Sequence, residues 1–237
     1  MVETILLDCG GVLARPQTGT WLFPRNFHRL MDGLLAQVDA KEHVRARVRA
    51  SELLHRDHLL YTEDVECDQL EEYFRNCYCR FLGLDVPEET LRELARAQVY
   101  DNERFVFYDD VLPMLRKWKG KYKLGMVSDT HPSLRRIMRD HGSLQYFDVA
   151  ALSCDLGVLK PDARMYETAL RALGAAPETT IFVDDLEKNL FGAQRLGIRG
   201  VKIARDVYTN APILAENEWK GAFVRSLEEL DGLLGEL

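Results

Sequence analysis

The chain reads as an α/β protein: a three-layer, Rossmann-like core built on a parallel sheet, with an inserted all-helical cap domain. Three observations predict this. Over the C-terminal half, short and nearly continuous apolar runs alternate with helix-patterned segments, as strands buried on both faces of a parallel sheet do. A run of the same kind, TILLD at 4–8, opens the chain. Between these two parts, residues 15–105 carry helical patterns and no clear strand, so they read as an insertion directly after the first strand. The expected division is a core from 1–14 and 106–237 and a helical cap from 15–105.

The elements follow in order. After TILLD the cap has helical patterns in FHRLMDGLLAQV (27–38), KEHVRARVRASELLHRDHLL (41–60), CDQLEEYFRNCYCRFLGL (67–84) and PEETLRELARAQVYDN (87–102). A helix over 109–119 leads into the second strand, YKLGMVSD (122–129). Helix PSLRRIMRDHG (132–142), strand FDVAALS (147–153) and helix PDARMYETALRALG (161–174) come next. Strand TIFVDD (180–185), helix LEKNLFGAQRLG (186–197) and strand GVKIA (200–204) complete the alternation. Gly142, Gly174 and Gly197 stand where helices stop, and Pro132 and Pro161 suit first helical turns.

Composition narrows the class. The 237 residues are 46% apolar and 29% charged, as in ordinary globular proteins. No stretch approaches the roughly 20 apolar residues of a membrane span. MVETILLDCGG carries Glu3 and no basic patch, so it reads as a core strand rather than a signal peptide. The five cysteines are odd in number and scattered, which points to reduced, packed thiols and a cytoplasmic setting. Cys77 and Cys79, two apart on a helical pattern, point to different faces rather than to one metal. A net charge of −7 argues against a nucleic-acid partner. VRARVRA (44–50) and LRRIMR (134–139) read as solvated helix faces. Nothing here fixes an oligomeric state.

In open parallel sheets ligands bind beyond the carboxyl ends of the strands. Asp8, Ser128 with Asp129, and Asp184 with Asp185 stand at those ends, and Lys160 opens the helix of LKPDARMYETAL. Acids crowded on one rim repel unless a cation joins them. Hard oxygen donors suit Mg²⁺, which keeps waters and binds beside a phosphate. Carboxylate, metal, lysine and hydroxyl together equip a site for phosphoryl transfer.

Four segments, LLDCGGVL, GMVSD, GVLKPDARMYETAL and IFVDDLEKNLFGAQRLG, occur in the order and spacing of the haloacid dehalogenase superfamily. The sequence resembles a phosphatase-like hydrolase of that superfamily's helical-cap branch. The resemblance implies that Asp8 is a nucleophile forming an aspartyl-phosphate and that Ser128 binds the phosphate. It implies that Lys160 bridges nucleophile and phosphate, with Asn189 in support. Mg²⁺ would be held by Asp8, the carbonyl of Gly10 and the acidic pair, Asp185 directly and Asp184 through water. A small phosphorylated metabolite, positioned by the cap, is the expected substrate.

Gly10 departs from the pattern, since most phosphatases of the superfamily have an aspartate there as general acid and base. Its loss spares a ligand that comes from backbone but removes a proton donor typically worth ~10²–10⁴ in rate. Asp129 either replaces that acid or lies outside its reach. Two other readings stay open: a degenerate member that binds a phosphate ligand or partner without turnover, and a dehalogenase. The dehalogenase branch usually has an aromatic residue at the Gly10 position and does not need Asp184 and Asp185.

Other residues have plainer readings. His55 and His58 flank Asp57 in HRDH without an evident third zinc ligand, so a solvated helix is favoured. Cys9 reads as a packed thiol. Trp21, Arg25 and His28 line the substrate pocket or simply pack.

Overall fold

The computed structural model describes residues 1–56, 58–205 and 218–237, without the side chains of Leu53 and Cys77, so the readings of Asp57 and Cys77 lie outside the described residues. Strand β1 (Thr4–Leu7) is followed by β2 (Ala14–Pro16) and then by four helices: α1 (Phe27–Leu35), α2 (Ala40–Arg56), α3 (Glu63–Glu72) and α4 (Glu88–Tyr100). The third continues as a wider π turn over Tyr73–Cys79. The chain returns through β3 (Phe105–Phe107), α5 (Val111–Trp118), β4 (Lys123–Ser128), α6 (Ser133–His141), β5 (Val149–Leu152) and the short α7 (Ser153–Leu156). Helix α8 (Ala163–Leu173), β6 (Thr180–Asp184), α9 (Glu187–Gln194), β7 (Arg199–Ile203), β8 (Ala222–Val224) and α10 (Leu227–Leu233) complete it.

Six strands form one sheet in the order β5-β4-β1-β6-β7-β8, and all five pairings are parallel. Strand alternation sorts β1 between two layers. Ile5 and Leu7 enter the cluster that includes Leu115 and Trp118 of α5 and Leu230 of α10. Leu6 enters the opposite cluster, with Met165 and Tyr166 of α8 and Leu190 of α9. Helices cover both faces, as the sequence predicts.

The helices between β2 and β3 bury an apolar cluster of their own around Phe27, Met31, Phe74, Tyr78 and Leu94. Polar ties join them to α6. Glu66 of α3 accepts from the Ser133 amide (2.8 Å) and hydroxyl (2.7 Å). Arg136 donates to Glu63 (3.0 Å) and to the Val99 carbonyl (2.6 Å).

Several boundaries differ from expectation. Residues 14–16 and 105–107 form a small antiparallel ribbon at the two ends of the helical interval, too short to leave a period-two signal. Helix α3 starts at Glu63 rather than 67, because the Thr62 hydroxyl accepts from the Val65 amide (3.3 Å) and acids fill the first turn. Helix α8 starts at Ala163, capped by Asp162 onto the Arg164 amide (2.9 Å), so Lys160 and Pro161 precede it rather than opening it. Pro132 likewise stands just before α6. Gly142 and Gly174 do end their helices in the left-handed conformation, at φ 83° and 54°. Among the described residues no helix is long and apolar enough to cross a membrane.

Candidate active site

The sheet register sets the site. Leu7 pairs with Met126 on one side and with Val183 on the other, so the next residue, Asp8, emerges beside Asp184, with Ser128 at the neighbouring strand end. The Asp8 amide donates to the Val183 carbonyl (3.0 Å), carrying the register one residue past the strand. The chain then turns sharply, and the amides of Val12, Leu13 and Ala14 all donate to the Cys9 carbonyl. That leaves the Gly10 carbonyl outside the turn's own hydrogen bonding. Gly11 is required twice over: its φ is +71°, and a Cβ there would lie 2.3 Å from Asp185 Oδ2.

Lys160 Nζ is 2.9 Å from Asp8 Oδ1 and donates to Asp184 Oδ2 at 2.8 Å, with its side chain 1% exposed. Burial alone would lower its pKa, but Asp184, Asp8 and Asp129 together hold it well above the ordinary lysine value. Asp184 is fully occupied. Its Oδ1 accepts from the Leu186 amide (2.8 Å) and Asn189 Nδ2 (3.1 Å), and its Oδ2 from Lys160 and Asn189 Nδ2 (3.0 Å). The four acceptor sites of a carboxylate are therefore used by protein donors. The backbone under Asn189 is held in turn, its carbonyl accepting from the Tyr166 hydroxyl at 2.8 Å.

Oxygens of Asp8, Asp184 and Asp185 lie within 4.8 Å of one another. Three carboxylates face one ammonium, an excess of negative charge in a buried place. Burial first, then Lys160 pulling down against Asp8 pushing up, leaves Asp184 at about 6. Burial together with Asp184 and Asp8 raises Asp185 well above the carboxylate range. Hard oxygens with unbalanced negative charge fit a small divalent cation, and Mg²⁺ suits the set.

Asp8, Gly10, Ser128, Asp129, Lys160 and Asp185 line one cavity of about 350 Å³; Asp184 lies behind it. Asp129 Oδ1 accepts from the Lys160 amide (2.9 Å). Its carboxyl is open to the cavity, yet the enclosing walls raise its pKa. Cys9 is buried, and burial with the adjacent Asp8 raises its thiol pKa, as a packed thiol requires. Trp21 lines the cavity, whereas Arg25 ties to Asp101 (2.6 Å) and Glu103 (2.6 Å), and His28 pairs with Asp32 on the surface.

His55 and His58 both face the cavity, and His131 joins them, its ring 5.3 Å from that of His58. His58 Nδ1 meets the Leu54 carbonyl (3.2 Å) and Nε2 the Ser153 hydroxyl (2.5 Å), so both its nitrogens are spent without a metal. Sequence reading missed Arg104, Gln98 and His131 in this cavity. Arg104 belongs to the turn Asn102–Arg104, and no local pattern separates an inward arginine there from a solvated one.

A family model for haloacid dehalogenase-like hydrolases matches residues 2–197. The chain is 30% identical over 127 residues to a phosphoserine phosphatase of Thermus thermophilus, covering 52% of this chain and 51% of the relative. It is 32% identical over 136 residues to a glyceraldehyde 3-phosphate phosphatase of Methanopyrus kandleri, covering 54% and 57%. The matches thus span little more than half the length of these curated relatives. An L-2-haloacid dehalogenase from Xanthobacter autotrophicus shares the fold over 100% of both chains, at TM-score 0.69 and 19% identity.

Proposed function

The chain belongs to the haloacid dehalogenase-like hydrolases, and on that premise we propose that it is a Mg²⁺-dependent phosphatase of a small phosphorylated metabolite. One observation carries the reading: three carboxylates within 4.8 Å of one another, two of them bridged by a buried lysine. Asp8 attacks phosphorus, the ester P–O bond breaks and the leaving oxygen departs with its electron pair, taking a proton from water. Water then attacks the aspartyl-phosphate, releasing phosphate and restoring the Asp8 carboxylate. Lys160 fixes Asp8 through Oδ1 and offsets phosphoryl charge, while Ser128 donates to a phosphate oxygen. Asp8, Asp185 and the Gly10 carbonyl would hold Mg²⁺, while Asp184, its acceptor sites filled by protein donors, stands behind them and fixes Lys160. Once bound, Mg²⁺ would supply the remaining positive charge that the transferring phosphoryl group needs. The helices of 15–105 serve as the cap that closes over the leaving group.

The buried free thiols Cys9, Cys79 and Cys154 support a reduced, cytoplasmic setting. Phosphate release across a panel of phosphometabolites, with and without Mg²⁺ and against Asp8→Asn, tests the function. Activity is expected only with Mg²⁺ and intact Asp8, and Asp8→Asn should keep the fold. Release that persists in Asp8→Asn would falsify the nucleophile.

A second reading, hydrolytic dehalogenation, has one observation in its favour. The Trp21 ring occupies the space beside Gly10 where the dehalogenase branch usually has an aromatic side chain. Halide release from 2-haloacids in the presence of EDTA would support it, and its absence would remove it.

A further inference from the structure

The cavity has a second polar region besides the carboxylates, and no step above uses it. Arg104, Gln98 and His131 line the same cavity as Asp8. The Arg104 guanidinium lies 4.5 Å over the Phe105 ring, and Phe105 packs 5.1 Å from Trp21, so the cation is set in an aromatic wall. Its Nη2 donates to the Ser133 hydroxyl (2.9 Å) and lies 3.9 Å from Glu66 Oε1. Glu66 is committed to Ser133 through both oxygens, so it serves only that corner. Nε is buried and, among the described residues, has no acceptor. Gln98, 5% exposed, donates through Nε2 to the Trp21 carbonyl (2.5 Å), which turns Oε1 into a buried acceptor with no donor. His131 Nε2 is also buried and unpartnered.

Unpaired buried polar atoms are rare, and four residues lining this cavity carry one, Asn189 Oδ1 among the carboxylates and these three apart from it; such atoms ask for a ligand. A guanidinium that keeps an unused N–H donor matches a carboxylate, and the Gln98 acceptor on the same cavity matches an N–H or O–H of the ligand. The phosphate end of a ligand is already accounted for by Lys160 and Ser128. We propose that Arg104, with Gln98 and His131, is a specificity subsite for a carboxylate on the leaving group, making the substrate a phosphate ester of a small hydroxy acid. This rests on the phosphatase reading above.

The test measures calorimetric binding to the full-length Asp8→Asn variant with Mg²⁺, using O-phosphoserine and phosphoethanolamine, which differ only in the carboxylate. Discrimination by a group built to pair with a charge runs to about 10- to 100-fold. O-phosphoserine should therefore bind at least about 10-fold tighter. Adding Arg104→Lys should erase most of that gap while leaving phosphoethanolamine within about 2-fold. Equal affinities, or no measurable binding of O-phosphoserine at millimolar concentration, overturn the subsite whether or not Arg104→Lys folds. Turnover by the native enzyme separates the two readings. Esters hydrolysed without carboxylate preference would sink the subsite alone. A binding preference with no ester hydrolysed would sink the phosphatase reading and leave the subsite standing.

Discussion

Trp21 packs against Gly10 so closely that a Cβ on the glycine would stand 3.2 Å from the indole Cζ2. The place where a proton-donating side chain would start is roofed by an apolar ring. Gly10→Asp alone must push that ring aside, so it should give little or no gain on alkyl phosphates. Gly10→Asp with Trp21→Ala should raise alkyl-phosphate kcat by up to ~10²-fold. Steady-state kinetics on the two variants decide it, and a full gain from Gly10→Asp alone would show that the ring yields freely.

Without an acid at position 10, departure of the leaving oxygen should depend on its own acidity. Aryl phosphates are expected to react far faster than simple alkyl phosphates, with a burst of about one equivalent before slower turnover. Equal rates and no burst would point to Asp129, the cavity carboxyl held by the Lys160 amide at 2.9 Å. Asp129→Asn can keep that hydrogen bond through its amide oxygen, so a fall in kcat there would report lost proton transfer rather than lost structure.

The crowded carboxylates predict a pH dependence of the metal-free fold. Asp184 titrates at about 6, and Asp185 is raised further. Their unfolded values are near 3.9, so between these limits the native state binds more protons than the unfolded chain. Stability in EDTA should therefore fall as pH rises from about 4 through 6 and above. Mg²⁺ offsets the repulsion, so denaturant melts in Mg²⁺ should lose this slope. Superimposable pH profiles with and without Mg²⁺ would exclude the carboxylates as the metal site.

A buried ion pair supports the turn after β1 from behind. Arg205 donates to Asp110 (2.6 Å) and to the Val12 carbonyl (2.7 Å), and Asp110 also accepts from the Leu227 amide (2.8 Å). Asp110→Ala strands a buried guanidinium and an amide, and should cost about 3–5 kcal/mol. The double change Asp110→Leu with Arg205→Met removes both charges and should cost less than Asp110→Ala. Urea denaturation of the two variants measures the difference.

The alternation of buried strands and helices is written in the order of the residues, and with it the strand ends that carry Asp8, Ser128 and Asp184. Strands buried on both faces must be apolar throughout, so an acid at a strand end stands out against its run. The order of the four segments likewise singled out Lys160 and Asp185 before any contact was known. Contacts between distant segments are what local pattern cannot encode. The ribbon of 14–16 with 105–107 pairs segments far apart in sequence, each too short for periodicity to register. Trp21 over Gly10, and Arg104 turned into the cavity against Phe105, are contacts between side chains whose neighbours in sequence say nothing of where they point. Burial and pairing are properties of the assembled packing, so the strand-end position of Asp8 was legible in the chain while the shape of the pocket around it was not.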